Sequence, residues 1–450
     1  MILQKSPEQA KVAIGSSISQ RRTAWTLRLR SLGLLCFLFF LLSACASAQR
    51  EAGYATPVFD SSPTPFQPDS FSLDSPFAAQ PTLSAEVIVD EQGVPLEVSI
   101  ESTPTSSLPH VPILNLSVDI NPLTGLPPAD PNLLERRPLA IKISQYPREI
   151  RPQYGLTSAD QVFEYYIEWG ATRFIAIFYG KDAKQVGPVR SGRYFDAHIT
   201  RMFRSFFVFN FADPRELSYF RTSDIAPFMV TPGCNECACP PFFVFNLIDL
   251  PDENHLATYF DTTRASACLA KKIGVDNARP PLRSGFFSEL IPNADHAVSR
   301  IYTKYSDDDY HYWQYDPTTL KYLRFQETAS MSALIPEAYA PLIDAGTNLQ
   351  VNAENVVMLF VPHIFANQFD AADEVYHINL EGSGLAYVFR DGIAIPARWQ
   401  RTAVDQPLFL TTQFGSPIFL RPGVTFYEVV GASSGSYQDD DGWHFEFLAP

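Results

Sequence analysis

Positive charge is scarce in this 450-residue chain once its first 45 residues are set aside. The remaining residues carry 28 Lys and Arg against 48 Asp and Glu, a net charge near −20. Nucleic-acid phosphates and anionic lipid surfaces attract basic protein surfaces. The charge balance therefore excludes nucleic acid as a partner, and it argues against membrane attachment through protein charge.

The chain also lacks the compact motifs of several catalytic classes. It has no H-E-x-x-H pair for a zinc protease and no G-x-x-x-x-G-K loop for nucleotide phosphates. Its eight histidines are scattered without ligand spacing, and the acidic runs 307–309 and 439–441 lack the alternate ligands of a calcium loop. We therefore predict no metal and no cofactor.

The first 45 residues have the pattern of an export signal. Four arginines precede an apolar run over 32–42, which is too short for the roughly 20 residues of a membrane-spanning helix. The run ends in Leu42-Ser43-Ala44-Cys45, which resembles the bacterial lipobox. The resemblance implies that residues 1–45 form a lipoprotein signal peptide and that Cys45 carries acyl chains such as palmitate. These chains would hold the protein to the extracytoplasmic face of the cell membrane.

Residues 46–118 have the composition of a tether. No Lys or Arg occurs between Glu51 and Glu135, and ten prolines fall between Pro57 and Pro112. A segment so poor in apolar surface cannot offset its ordering entropy, so we predict disorder here. Alternating residues over 85–100 leave a small hairpin as an alternative for that part.

Two folded domains are predicted beyond the tether. Over 119–290 the pattern indicates a mixed α/β or α+β domain with a central sheet: a strand at 138–143, a hairpin of 162–168 with 172–179, and helices over 194–204, from Pro214 and over 264–272. Over 295–450 it predicts a mostly-β domain: hairpins of 310–315 with 320–325 and of 385–390 with 393–399, and strands over 356–361, 375–380 and 424–430.

Several motifs in order resemble the YerB-like bacterial lipoproteins, a two-domain family of undefined function. They include residues 121–127, 137–141, 151–160, 172–178 and 186–191, and 355–357 and 382–399 in the second domain. The resemblance covers roughly residues 120–435 and implies an α/β domain followed by a β-rich one. The chain departs from the family's pattern at 210–213 and 254–259, and it adds the loop 234–239.

Charged residues of the first domain are candidates for a ligand-binding cleft. Alternation along 162–168 places Glu164, Tyr166 and Glu168 on one face of a strand. An arginine beside the start of a helix is a suitable site for an anion or carboxylate. The alternative is a structural ion-pair network that joins Glu164 or Glu168 to Arg173 across the hairpin. The ligand-binding candidates are Arg151, Glu164, Glu168, Arg173, Arg190, Ser191, Arg193, Asp213 and His255.

A two-carboxylate glycosidase built on Glu164 and Glu168 is disfavoured by distance. On one strand face the two would lie about 13 Å apart, at ~3.3 Å per residue, beyond the ~5–9.5 Å usual for such pairs. No catalytic residue is therefore assigned.

Four cysteines remain beyond Cys45 and the one in the signal. Cys234, Cys237, Cys239 and Cys268 are an even set in an exported chain, which favours disulfides. A metal site with these four thiolates is the alternative, and free thiols are a third.

The predicted function is a non-catalytic binding or scaffolding lipoprotein for an envelope ligand or a partner protein. The alternative is a hydrolase or transferase that acts on envelope polymer through the same arginine and carboxylate cleft. Convergence of Glu164, Arg173, Arg190 and Asp213 on an open pocket would favour the enzyme.

Overall fold

The computed structural model describes residues 119–232, 242–244, 257–269, 275–282, 285–292, 297–367 and 373–450. Several predictions concern segments outside these ranges: the signal with Cys45, the tether with its alternative hairpin, the three cysteines of the loop 234–239, and His255. These stay predictions.

The first part of the described chain combines short strands with three helices. Its strands are β1 (Leu139–Ser144), β2 (Gln161–Glu168), β3 (Ala171–Phe178), β4 (Ser191–Gly192), β5 (Phe206–Val208), β6 (Phe211–Ala212), β7 (Met229–Val230), β8 (Phe242–Val244) and β9 (Thr258–Phe260). Its helices are α1 (Tyr194–Phe203), α2 (Pro214–Thr222) and α3 (Ala265–Leu269). Single 3₁₀ turns lie at Pro131–Glu135, Arg148–Ile150, Leu156–Ser158, Ala226–Phe228 and Thr262–Arg264.

The second part is built from strands, and no α-helix occurs within 297–367 or 373–450. The strands are β10 (Arg300–Lys304), β11 (Tyr310–Asp316), β12 (Lys321–Glu327), β13 (Tyr339–Pro341), β14 (Ile343–Asp344), β15 (Leu349–Gln350), β16 (Asn352–Ala353), β17 (Asn355–Val361), β18 (His363–Phe365), β19 (Tyr376–Ile378), β20 (Gly382–Arg390), β21 (Ile393–Arg401), β22 (Phe409–Thr411), β23 (Thr425–Gly431), β24 (Gly435–Gln438) and β25 (Trp443–Glu446).

Ten strands from both parts form one continuous sheet. Its order is β22-β21-β20-β17-β23-β2-β3-β1-β5-β7. The two parts meet where β2 pairs in parallel with β23, from Gln161 opposite Thr425 to Tyr165 opposite Val429. The strands β2, β17 and β23 are buried over nearly their whole length. Such apolar strands are typical of a sheet that is covered on both faces.

A second sheet covers one face of the first. Its strands run β13-β12-β11-β10-β25-β24, with β16 paired to β12. Trp313 of β11 is fully buried, and its ring lies 4.8 Å from that of Phe426 on β23. Phe426 also meets Phe174 of β3 edge-on at 5.8 Å. The aromatic contacts place the seven-stranded sheet directly against the centre of the ten-stranded one.

Helix α1 covers the opposite face. Its buried residues Phe195, Ile199, Met202 and Phe203 recur at helical spacing and form one apolar stripe. The ring of Phe195 lies 4.5 Å from that of Tyr165 on β2. The described part of the chain is thus layered as helix, large sheet and smaller sheet.

The predicted fold class is confirmed, and most local elements lie where the pattern placed them. Helix α1 and the Pro214 start of α2 agree with prediction, as do both hairpins of the second part. Trp169 and Gly170 form the predicted turn with positive φ angles of 48° and 77°. None of the helices in the described ranges is long and apolar enough to cross a membrane.

The shared sheet predicts that the first part does not fold alone. Residues 119–292, expressed without the remainder, would expose the edge of β2 that β23 normally pairs. We expect no cooperative thermal transition by circular dichroism, and recovery of one when residues 293–450 are co-expressed. A sharp transition in the isolated fragment would contradict this expectation.

Candidate functional site

The predicted site residues divide between the two faces of the β2–β3 hairpin. A register shift lies between Tyr166 and Glu168 on β2. Because such a bulge turns the following side chain to the other face, Glu168 contacts Arg193 on the helix side, whereas Glu164 contacts Arg324 on the side of the second sheet. The prediction that Glu164 and Glu168 share a face was therefore wrong.

Glu164 belongs to a buried ion cluster between the two sheets. Arg324 of β12 places Nη2 2.7 Å from the Glu164 carboxylate and Nη1 2.9 Å from that of Glu428. Glu164 and Glu428 are direct partners across β2 and β23, and all three side chains are fully buried. Two carboxylates side by side would repel each other, so the guanidinium between them makes this pairing tolerable.

Further donors complete the environment of Glu428. Trp313 donates its indole N–H at 2.8 Å, and the His311 ring nitrogen Nε2 lies at 3.1 Å. Burial raises the pKa of the Glu164 and Glu428 carboxyls, and Arg324 opposes the rise. Burial also lowers the pKa of His311 well below its usual range, so this ring is neutral.

Asp309 extends the cluster toward β3. It accepts hydrogen bonds from the Thr172 amide and hydroxyl, each at 2.8 Å, and the Gln145 amide donates to both Glu164 and Asp309. Burial raises the pKa of Asp309 to about 6. The nearby predicted residue Arg151 pairs with Glu327 at 2.7 Å. These side chains face the protein interior and bond mainly to one another, and Gln145 Oε1 has no hydrogen-bond partner among the described residues.

Glu164, Asp309 and His311 are the described residues that could hold a metal ion. Their ligand atoms lie within 4.8 Å of one another, and all three residues are buried. A cation there would meet the Arg324 guanidinium, which already contacts Glu164. The charge of Arg324 satisfies the carboxylates directly, so the geometry favours an ion-pair cluster over a metal centre.

Five predicted residues do come together on the helix side. Arg173, Arg190 and Arg193, here named the arginine cluster, lie with Glu168 and Ser191 at the start of α1. Arg193 forms an ion pair with Glu168, and Arg173 donates to the Ser191 carbonyl at 3.0 Å. Arg173 lies 3.9 Å from Glu168, which is the predicted ion pair across the hairpin. Burial, together with the charges of Arg193 and Arg190, lowers the pKa of Arg173 to about 9.

Sequence reasoning missed four buried residues beneath the arginine cluster. Lys142 of β1 contacts the Tyr165 hydroxyl and lies 3.2 Å from Asp196 of α1, and Tyr165 donates to Asp196 at 2.5 Å. Glu216 of α2 lies 3.6 Å from Arg193. Burial lowers the pKa of Lys142 to about 7 and raises that of Glu216 to about 7. The sequence pattern around Lys142 predicts only a buried strand. It does not indicate that this lysine joins a group of charged side chains.

Asp213 bonds to Arg215 rather than to a member of the arginine cluster. It begins α2, where it accepts a hydrogen bond from the Arg215 amide at 2.9 Å and pairs with the Arg215 side chain. Arg215 also contacts Asp373 at 2.6 Å. Asp213 thus serves as a helix cap and is paired with Arg215, while its charge also acts on Arg193.

Cys268 on α3 forms a disulfide. The other three predicted cysteines lie outside the described residues, so their connectivity stays a prediction.

One further segment has the residue spacing of a known catalytic motif. Gly431-Ala432-Ser433-Ser434-Gly435 has the G-x-S-x-G order of a nucleophile elbow. It connects β23 to β24, and Ser434 accepts a hydrogen bond from the Leu448 amide at 3.0 Å. An elbow requires a strand followed by a helix, so this segment is a strand connection rather than a catalytic site.

An apolar cavity of about 50 Å³ lies away from both charged clusters. It is lined mainly by aliphatic and aromatic groups, among them Phe163, Phe203, Leu410 and Tyr427. No Asp, Glu, Lys or Arg lines it. It therefore offers packing space without the groups that acid–base chemistry needs.

Comparison with known proteins identifies the same relatives as the sequence motifs. Two models of a protein family of unknown function match the chain. The DUF3048 N-terminal domain matches residues 123–233, and the DUF3048 C-terminal domain matches residues 301–427. "Putative lipoprotein YerB" of Bacillus subtilis (strain 168) is 44% identical over 87 residues, 19% of this chain and 26% of that protein. The match thus spans about a quarter of that relative's length.

A crystal structure of the YerB protein from Bacillus subtilis has a related fold. It aligns with a TM-score of 0.55 at 23% identity and covers 69% of this chain and 96% of that one. The likeness shows a shared fold, and the predicted family resemblance is confirmed.

The buried ion cluster predicts a large stability loss when its cation is removed. Arg324→Met leaves two carboxylates facing each other without a counter-charge, so we expect the free energy of unfolding to fall by about 3–5 kcal/mol. Urea denaturation measures it, with Arg398→Met, at an exposed arginine, as the control expected within about 0.5 kcal/mol of wild type.

Adding Glu164→Gln and Glu428→Gln to Arg324→Met should restore part of the lost stability, because no uncompensated charge remains. A single Arg324→Met protein as stable as the control would contradict the proposed role of the cluster.

Proposed function

This chain belongs to the YerB-like family, defined by the two DUF3048 domains, and we propose that it is a lipid-anchored, non-catalytic binding protein of the bacterial cell envelope. The one observation that carries the binding half of this proposal is the separation of the candidate catalytic groups. Glu164 is held by Arg324 inside the protein, and Asp213 caps a helix.

The alternative of a hydrolase or transferase needs a carboxylate that faces both solvent and a bound polymer. Glu164 is fully buried between two sheets, and Glu168 is in contact with Arg193. The geometry therefore favours binding without turnover.

The anchoring half of the proposal is supported by the lipobox at Cys45 and by the name of the YerB relative. A single acyl chain gives marginal membrane binding, whereas two or more give stable attachment. The acidic, proline-rich residues 46–118 would then separate the folded part from the extracytoplasmic face of the membrane.

The anchor predicts that Cys45→Ala releases the protein. Without the acceptor thiol no acyl chain can be attached, so we expect the variant to move from the membrane fraction to the soluble fraction on fractionation. Cys36→Ala, inside the apolar run of the signal, is the matched control and should stay in the membrane fraction. Membrane retention of Cys45→Ala would refute lipid anchoring.

Binding without turnover is tested on purified, insoluble cell wall. The soluble Cys45→Ala protein should co-sediment with the wall in a saturable manner and should release no soluble fragments on long incubation. An unrelated protein of similar negative charge is the control. Release of wall fragments would favour the enzyme, and absence of co-sedimentation would overturn the wall as ligand.

A further inference from the structure

The arginine cluster is a basic group in a protein whose net charge is negative. The whole chain carries a formal charge of −15, yet Arg173, Arg190 and Arg193 lie close enough for their charges to interact, with Lys142 beneath them. The acids in contact with this group are Glu168, Asp196 and Glu216. Basic side chains are thus at least as numerous as acids in this group, whereas acids outnumber bases in the whole chain.

Arg173 uses few of its hydrogen-bond donors within the protein. Its side chain donates one hydrogen bond, to the Ser191 carbonyl, and it lies 3.9 Å from Glu168, beyond hydrogen-bond reach. Glu168 is instead engaged by Arg193, and the side chain of Arg173 is 11% exposed. A guanidinium has five N–H donors in a planar fork, so most of the donors of Arg173 are left for another group.

Other arginines of the described chain use several N–H donors of the guanidinium group to bind carboxylates. Arg215 contacts both Asp213 and Asp373, each through two donors. Arg201 places two nitrogens on Asp224 and also reaches Tyr219. Arg173 has no comparable carboxylate of its own, although it is nearly buried beside two other arginines. An anion from outside would supply what the chain does not.

Two exposed aromatic residues are positioned next to the cluster. Trp169 follows Glu168 in the β2–β3 turn and is 66% exposed. Phe211 is the direct partner of Ser191 across β4 and β6 and is 63% exposed. Ligand sites commonly combine apolar surface with a few polar groups that fix orientation. The surroundings therefore suit an anion carried on a group with an apolar or ring face.

We propose that the arginine cluster binds an oxyanion of the wall polymer, a carboxylate or a phosphate, with Arg173 as its bidentate donor and Trp169 and Phe211 at the rim. The site rests on the proposed function, because it names the ligand group that the wall-binding protein recognises. Both anions present two oxygens to a guanidinium fork, so the shared chemistry is the oxyanion itself.

The test measures binding of the soluble Cys45→Ala protein to purified cell wall. Arg173→Gln keeps a polar side chain but removes the charge and the fork, and we expect an affinity loss of about 10-fold or more. Arg215→Gln, which removes a surface arginine already paired within the protein, should bind like the parent. Thermal unfolding confirms that each variant is folded.

A second variant separates recognition from structural support. Glu168→Gln removes the internal carboxylate nearest to Arg173 and Arg193, so it should strengthen wall binding several-fold while Arg173→Gln weakens it. Walls stripped of phosphate polymers by hydrofluoric acid, and walls with amidated carboxyls, identify which oxyanion is bound. Loss of binding on one of them supports the proposal and names the anion.

Three results would overturn the site. Unchanged affinity of Arg173→Gln, or undiminished binding to walls that lack both phosphates and free carboxylates, would remove the arginine cluster as the ligand site and leave the binding function standing. Absence of binding by the parent protein would overturn both the site and the proposed function.

Discussion

The buried guanidinium of Arg324 is the interaction on which the architecture depends. It comes from the seven-stranded sheet and lies between Glu164 and Glu428, which belong to neighbouring strands of the ten-stranded sheet. The Trp313 and Phe426 rings surround it at 5.2 and 5.8 Å. Ionisable groups buried between two sheets are tolerated only when they pair with one another, so the ion cluster orders the strands that carry it.

One face of the β2–β3 hairpin packs into the ion cluster, and the other face carries charged side chains toward α1. Glu164 and Thr172 point into the ion cluster, whereas Arg173 and, after the bulge, Glu168 point toward α1. The hairpin therefore contributes Glu164 and Thr172 to the buried ion cluster on one face and Arg173 to the arginine cluster on the other. Structural ion pairs thus occupy the face toward the second sheet, and the arginine cluster, which we propose as the ligand site, lies on the face toward α1.

Local sequence patterns predicted much of the secondary structure because they depend on near neighbours. The apolar stripe of α1, Pro214 at the start of α2 and the turn residues Asp391 and Gly392 act within a few positions of themselves. The candidate site was predicted in part: Arg173, Arg190, Arg193, Glu168 and Ser191 do lie together. Glu164 lies on the other face, because the bulge turns Glu168 away from it, and Asp213 is used as a helix cap. Neither the bulge nor the cap follows from alternation alone.

The sequence by itself determined the family, the order of a mixed α/β part followed by a β-rich part, and the export pattern that ends at Cys45. Each of these depends on residues that are close together in the chain. Only the tertiary structure decided that β23 pairs with β2, that Arg324 joins Glu164 to Glu428, and that Lys142 and Asp196 lie beneath the arginine cluster. Glu164 and Glu428 are 264 positions apart in the chain. Pairing of parallel strands and burial of charge over such a separation depend on the packing of the whole molecule, so no local sequence pattern predicts them.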